Sequence, residues 1–201
     1  MSADSMSQAS SEAPPSQAPR IAPAEPPYPA QVQARLDALM PPGVEPLLLF
    51  RVMARDQRLF ERFMGAGLLD KGHLSLRQRE IVIHRVTARC GAEYEWGVHA
   101  AFFARRAGLD AAQLGSTVSG AAADACWEAQ DALLIRFCDA LHADCTLDDA
   151  LWADLRAAFS EEAILELLLL AGFYRTVSYL TNALRLPPEP FAAKWGQTQR
   201  V

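Results

Sequence analysis

Several features that mark other classes of protein are missing from this sequence. No two of its four cysteines, Cys90, Cys126, Cys138 and Cys145, have the spacing of a C-x-x-C pair. We therefore expect free thiols in a reducing compartment rather than a disulfide framework. An excess of basic residues is also missing, because the net charge is −5 and the sequence pI is near 5.4. This balance argues against a nucleic-acid partner and against a basic membrane-binding face. We therefore expect a soluble, cytoplasmic protein.

No stretch alternates apolar and polar residues for long enough to indicate a β-strand, so the predicted fold class is all-α. With 201 residues, of which 51% are hydrophobic, the chain is long enough for one domain with a sizeable core. Residues 1–28 are rich in Ser, Ala, Pro and Gln and contain no apolar segment of signal-peptide length. We predict that they form a disordered tail ahead of a single domain at 29–201. The tail is either dispensable or has a partner-docking or targeting role.

Helix start and stop signals divide this domain into segments. A short helix is expected from Ala30 to Leu39, and a longer one from Pro46 to Gly65. Downstream, helix N-termini are predicted by the capping residues Asp110, Thr146 with Asp149, and Ser160. The apolar run at 167–170 is too short to span a bilayer, so no membrane partner is expected.

Two consecutive predicted helices carry the candidate site. The first begins at the capping residue Ser75 and stops at Gly91, and the second ends at Gly108. A short connection between helices of this length favours antiparallel packing. This packing would bring the Glu80 carboxylate against the His99 imidazole.

The same two helices resemble the core of the carboxymuconolactone decarboxylase and alkylhydroperoxidase D-like (AhpD-like) family. Three segments in order carry the resemblance: LSLRQREIVI at 74–83, AEYEWGVHAA at 92–101 and AGL at 107–109. Further similarity lies at 49–54 and at 172–178. Taken as a whole, the resemblance spans residues 47 to 185. It implies a helical bundle that commonly assembles into trimers or hexamers.

The peroxidase branch of that family has a Glu, then a C-x-x-C pair, then a His four residues after the second Cys. Glu80 and His99 fall on the Glu and His positions, whereas the two Cys positions fall on Ala92 and Glu95. A thiol peroxidase needs a thiolate to attack the peroxide and usually a second thiol to resolve the sulfenic acid. The resemblance therefore implies the branch without the C-x-x-C pair, which keeps an acid and a base for proton transfer.

The predicted catalytic set consists of His99, Glu80, Glu95 and Tyr94. In this set His99 moves a proton and Glu80 orients the imidazole. Glu95 lies one helical turn before His99, and two neighbouring carboxylates would raise the pKa of His99 above about 6.5, while burial would lower it. The Tyr94 hydroxyl is expected either in a proton relay or in packing.

An arginine is expected to hold an anionic substrate, since its planar fork matches a carboxylate, and the candidates are Arg85 and Arg175. The resemblance and the residues together predict a decarboxylase-like enzyme that acts by general acid–base chemistry on a small organic acid or lactone. Two alternatives stay open. One is a peroxidase-related antioxidant protein, and the other is a non-catalytic protein that binds a small molecule.

A metal site is a further hypothesis, because Glu80 and His84, like Glu95 and His99, are spaced one turn apart. Two arguments count against it: di-iron bundles use Glu-x-x-His, and His84 is expected on a different face from His99. We therefore expect neither a metal nor a cofactor. The expected partners are a small-molecule substrate and further copies of the chain.

Overall fold

A computed structural model of the chain describes residues 18–41 and 43–195. Within these residues it contains nine α-helices and no β-strand, which confirms the all-α prediction. The helices are α1 (Ala30–Leu39), α2 (Leu48–Met53), α3 (Gln57–Gly65), α4 (Leu76–Arg89), α5 (Glu93–Ala107), α6 (Ala111–Ser119), α7 (Ala129–Asp144), α8 (Asp149–Ala158) and α9 (Glu161–Ala183).

Helix α4 lies at the centre of the bundle and packs against α5, α6, α7 and α9. Every residue from Glu80 to Thr87 is buried, so this part of the helix has no solvent-facing side. Polar side chains here must find partners inside the protein. Arg85 does so by pairing with Asp139 at 2.7 Å.

Local signals set several helix ends as predicted. Ser75 and Gln78 form the capping box of α4, and Ser160 caps α9. Gly91 and Gly108 follow α4 and α5, each with a φ of 66°. Glycine adopts this left-handed conformation without strain, which explains why the two helices stop there.

Two helix boundaries differ from the prediction. The single helix predicted from Pro46 to Gly65 is broken into α2 and α3, because Asp56 accepts a hydrogen bond from a first-turn amide of α3 at 2.9 Å. Helix α8 is capped by Asp148 rather than Thr146, and the Asp148 carboxylate accepts a first-turn amide at 2.7 Å. In both places an aspartate satisfies a free amide at a helix start.

Part of the predicted tail, residues 18–28, makes backbone hydrogen bonds to the helical domain. The Arg20 amide donates to the Leu184 carbonyl at 2.9 Å, and the Ala24 amide donates to the Arg51 carbonyl at 3.0 Å. These bonds hold the segment against α2 and the end of α9. The remainder of the predicted tail, residues 1–17, lies outside the described residues.

Helix α9 has 23 residues and, by length and composition alone, could cross a membrane. The helix is longer than the apolar run at 167–170. A core helix of a soluble protein meets the same criteria, and α9 buries one stripe of side chains against α4, α5 and α8. Its opposite face leaves Leu165, Leu169 and Tyr179 exposed.

After α9, the chain at 186–195 runs back across α5. The Ala193 amide donates to the Gly97 carbonyl at 3.1 Å, and the Glu189 carboxylate accepts a hydrogen bond from the Tyr94 hydroxyl. A Cβ atom at Gly97 would overlap the Ala193 carbonyl oxygen. Gly97 is therefore required by the close approach of the two backbones.

We expect Gly97→Ala to lower the free energy of unfolding by about 1–3 kcal/mol, because the new methyl group would push the C-terminal segment off α5. Gly115→Ala in α6 is the matched control, since a Cβ atom there would meet nothing within 4 Å. The control should be neutral or stabilise by up to about 1 kcal/mol. Denaturant unfolding followed by circular dichroism measures both, and equal stability of the two variants would contradict the close approach.

Candidate active site

Three helices bring five polar side chains together in the interior. Glu80 and His84 come from α4, Glu95 and His99 from α5, and Tyr174 from α9. None of the five residues is more than 7% exposed. Core packing of the three helices therefore sets their positions.

His99 is the centre of this cluster, because both of its ring nitrogens have partners. Its Nδ1 atom lies 2.9 Å from Glu80 Oε2. Its Nε2 atom lies 3.1 Å from the Tyr174 hydroxyl oxygen and 3.4 Å from Glu95 Oε1. The structure thus brings Glu80, Glu95 and His99 together, and an imidazolium can donate to all these acceptors from its two N–H groups.

The two histidines of the cluster are in opposite charge states at neutral pH. Burial lowers the pKa of His99. The charges and hydrogen bonds of Glu80 and Glu95 have the larger combined effect and raise that pKa to about 10. Burial also lowers the pKa of His84, and here it dominates and brings the pKa to about 4. His99 is therefore an imidazolium, while His84 is neutral and can donate from Nδ1 to the Glu80 carbonyl oxygen at 2.6 Å.

Three buried atoms of the cluster have no hydrogen-bond partner within the described residues: Glu80 Oε1, His84 Nε2 and Glu95 Oε2. Such unsatisfied groups are rare in protein interiors. Glu95 also borders a cavity, so a molecule bound there would lie beside its carboxylate.

The Tyr174 hydroxyl complements Glu95 as a donor. It accepts from the protonated His99 Nε2, which leaves its own proton available for a ligand. Burial, followed by Glu95 and Glu80, holds the pKa of Tyr174 well above its ordinary value, so the hydroxyl stays protonated. The cluster therefore offers one acceptor and one donor to the same cavity.

The cavity has a volume of about 340 Å³. Its polar lining consists of Glu95, His99, Tyr174 and Arg106. The other walls come mostly from apolar side chains of α1, α2, α3, α5 and α9, among them Phe50, Phe63, Phe102, Phe103 and Phe173. A site of this size and character suits a small organic molecule.

The structure does not place Tyr94 beside His99. Its hydroxyl donates to Glu189 and accepts from the Leu49 amide at 3.2 Å, and the residue does not line the cavity. Tyr94 therefore ties the C-terminal segment to α2, which agrees with the packing alternative and not with a proton relay through His99. Tyr174 occupies the position beside the imidazole instead.

The two arginines predicted to hold a substrate also lie elsewhere. Arg85 is engaged by Asp139 on the far side of α4, at 2.7 Å. Arg175 donates to the Tyr179 hydroxyl at 2.9 Å and borders a separate pocket. The arginine that lines the cavity is Arg106.

Sequence reasoning missed Tyr174 and Arg106, although both carry a signal. Arg106 follows His99 by seven residues, two helical turns, and so lies on the same face of α5. Tyr174 continues the spacing of the apolar residues Leu170 and Val177, which places a hydroxyl on the buried stripe of α9. A buried tyrosine hydroxyl needs a partner, and His99 is that partner.

The expectation that His84 faces away from His99 is wrong, because the centroids of the two rings are 6.4 Å apart. Within the described part of the chain, however, no group of three or more His, Cys, Asp or Glu side chains has the arrangement of a metal site. One Glu80 oxygen, Oε2, bonds His99 and lies 3.8 Å from His84 Nδ1.

One family model matches part of this chain. Residues 57–136 match the model of the carboxymuconolactone decarboxylase family. A comparison with curated proteins found no match to the sequence.

Two solved structures have a similar fold. One is an uncharacterized peroxidase-related protein from Silicibacter sp. TM1040, with a TM-score of 0.77, 16% identity, and coverage of 91% of this chain and 98% of that one. The other, described as an alkylhydroperoxidase AhpD core, is an uncharacterized peroxidase-related protein from Ralstonia eutropha JMP134. Its TM-score is 0.70 at 15% identity, and the match covers 85% of this chain and 93% of that one. The segment that matches the family model contains Glu80, His84, Glu95 and His99, and the chain as a whole has the AhpD-like fold.

Proposed function

We propose that this protein is a carboxymuconolactone decarboxylase-like enzyme that carries out general acid–base chemistry, decarboxylation or isomerisation, on a small organic acid or lactone. The observation that carries the proposal is the buried His99, which contacts Glu80, Glu95 and Tyr174 beside an apolar cavity. A proton acceptor and a proton donor facing one cavity are what such reactions need.

In the proposed isomerisation, the free oxygen of Glu95 takes a proton from a carbon next to a carbonyl group of the substrate. The electron pair of the broken C–H bond moves onto the carbonyl oxygen, which becomes an enolate. The Tyr174 hydroxyl, backed by the His99 imidazolium, donates a hydrogen bond to that oxygen. The protonated Glu95 then returns its proton to another carbon of the same substrate, so that the number of protons is unchanged.

In the proposed decarboxylation, the electron pair of the breaking carbon–carboxylate bond moves into the same enolate while carbon dioxide leaves. The enolate carbon is then protonated from the Tyr174–His99 pair, and solvent restores that proton. Glu80 holds the imidazole in place and maintains its charge in both reactions.

A second candidate is a peroxidase-related antioxidant protein, which the names of the two similar structures favour. Its thiol would be Cys90, whose sulfur lies 3.9 Å from His142 Nδ1 in a pocket separate from His99. Burial raises the pKa of Cys90 despite the opposing effects of Ser178 and Arg175, which disfavours the thiolate. Trapping of a sulfenic acid at Cys90 by dimedone under peroxide would support this candidate against the first.

His99→Ala and Glu80→Gln are each expected to lower kcat by about 100-fold or more, because each removes the charged donor behind Tyr174. The assay is turnover of a panel of small acids and lactones, starting with 4-carboxymuconolactone and followed by ultraviolet absorbance. His73→Ala, at an exposed position, is the matched control. Activity of the site variants within a few-fold of the control would contradict the mechanism.

The pKa of His99 predicts a pH dependence. Its folded value of about 10 lies above the ordinary value of 6.5, so its contribution to stability is complete below about 6.5 and is lost as the pH rises through about 10. The same loss of the proton should lower kcat above about pH 10. Nitrogen-15 NMR of the imidazole measures this titration directly.

Glu80→Gln should move the titration of His99 to lower pH, because it removes the carboxylate that opposes burial most strongly. His84, whose pKa is lowered to about 4, should show no imidazolium signal at pH 7. A His99 signal that titrates near 6.5 in the unmodified protein would contradict the charge assignment.

We further propose that the chain forms a homo-oligomer, a trimer or hexamer, through α9. Leu165 and Leu169 are 61% and 65% exposed on one face of that helix, an unusual exposure for two large apolar residues in neighbouring turns. The doubly substituted Leu165→Glu, Leu169→Glu protein should have a smaller mass in light scattering after size exclusion. Leu59→Glu, at a residue 43% exposed on α3, should leave the mass unchanged.

A further inference from the structure

We propose that the cavity binds an amphipathic monoanion, an acid with one carboxylate and an aromatic or medium-length alkyl body, and that Arg106 binds its acid group. This inference rests on the proposed function, because it names the substrate class of the same site. It differs from the sequence-based expectation, which assigned the anion to Arg85 or Arg175.

The first support is the order of side chains along α5. Glu95, His99, Phe103 and Arg106 all line the cavity, so one face of a single helix forms a wall of the site. His99 and Arg106 are seven residues apart, which separates their Cα atoms by about 10 Å along the helix axis. Phe103 fills the interval, with its ring centroid 5.1 Å from that of His99.

The second support is the state of Arg106 itself. Its side chain is exposed, and its guanidinium carbon lies 5.9 Å from the Phe103 ring centroid. No carboxylate pairs with it within the described residues, whereas Arg85 and Arg77 each have an aspartate partner. Arg106 thus presents an uncommitted cation at the edge of an apolar cavity, with its guanidinium close to an aromatic ring.

The third support is the apolar character of the remaining lining, which disfavours a second charge on the ligand. Apart from Arg106 and the His99 cluster, the described lining residues carry no charged side chain. A second carboxylate on the ligand would have to be buried without a partner, at a cost of several kcal/mol. This argues against a small, highly polar diacid and in favour of a ligand whose middle is apolar.

The electrostatics also fix the direction in which the ligand binds. At the inner end, Glu80 and Glu95 surround a single imidazolium, so a carboxylate there would meet two others. At the outer end, Arg106 offers an unopposed positive charge. The acid group therefore points outward, and the carbonyl that reacts at Tyr174 is a different group. A monoanion bound this way keeps its carboxylate, so of the two proposed reactions it can undergo only the isomerisation.

The test compares an acid with its neutral isostere, 6-phenylhexanoate with 6-phenylhexanamide, by calorimetric titration of the full chain at neutral pH. The unmodified protein should bind the acid about tenfold more tightly than the amide, as expected for one charge-assisted contact at a partly solvated position. Arg106→Gln should remove this preference. Arg105→Gln is the matched control, because the neighbouring arginine is also exposed but does not line the cavity.

Equal affinity for acid and amide in the unmodified protein, no binding of the acid at millimolar concentration, or an unchanged preference in Arg106→Gln would each overturn the inference. His99→Ala separates this inference from the proposed reaction, since that variant should keep its preference for the acid. If the preference depends on Arg106 while no acid in the panel is turned over, the binding mode stands and the proposed reaction fails.

Discussion

The contact between Glu80 and His99 is the interaction on which the rest of the site depends. Moving an imidazolium or a carboxylate from water into a protein interior costs several kcal/mol unless the charge is paired. At 2.9 Å the two opposite charges are paired, and the charge that Glu80 stabilises on His99 in turn helps to keep the nearby His84 neutral. Tyr174 and Glu95 then contact the other ring nitrogen, Nε2, on the side of the cavity.

Helix α5 links this interaction to the rest of the fold. One of its faces carries Glu95, His99 and Arg106 into the cavity, while Gly97 receives the returning C-terminal segment. Tyr94 bonds that segment through Glu189. A helix held on two sides in this way has little freedom to shift, and a rigid support is what keeps a donor and an acceptor in fixed geometry.

Much of the fold could be predicted from local signals. The capping box at Ser75 and the glycines after α4 and α5 act within a few residues, so spacing alone revealed them. The same was true of Glu95 and His99, one turn apart on one helix. Arg85, in contrast, has good chemistry for an anion, and only its contact with Asp139, 54 residues away, shows that it is already engaged.

The sequence by itself determined the all-α class, the two central helices and the proximity of Glu80 to His99, because hydrophobic period, capping and short connections are local properties. Only the tertiary structure decided that Tyr174 rather than Tyr94 bonds His99, and that Arg106 is the cation at the cavity. Both outcomes depend on how α9 and the C-terminal segment pack against α5. Spacing puts Arg106 on the face of α5 that carries His99, and Tyr174 on the buried stripe of α9, but it does not reveal which long-range contacts these side chains make.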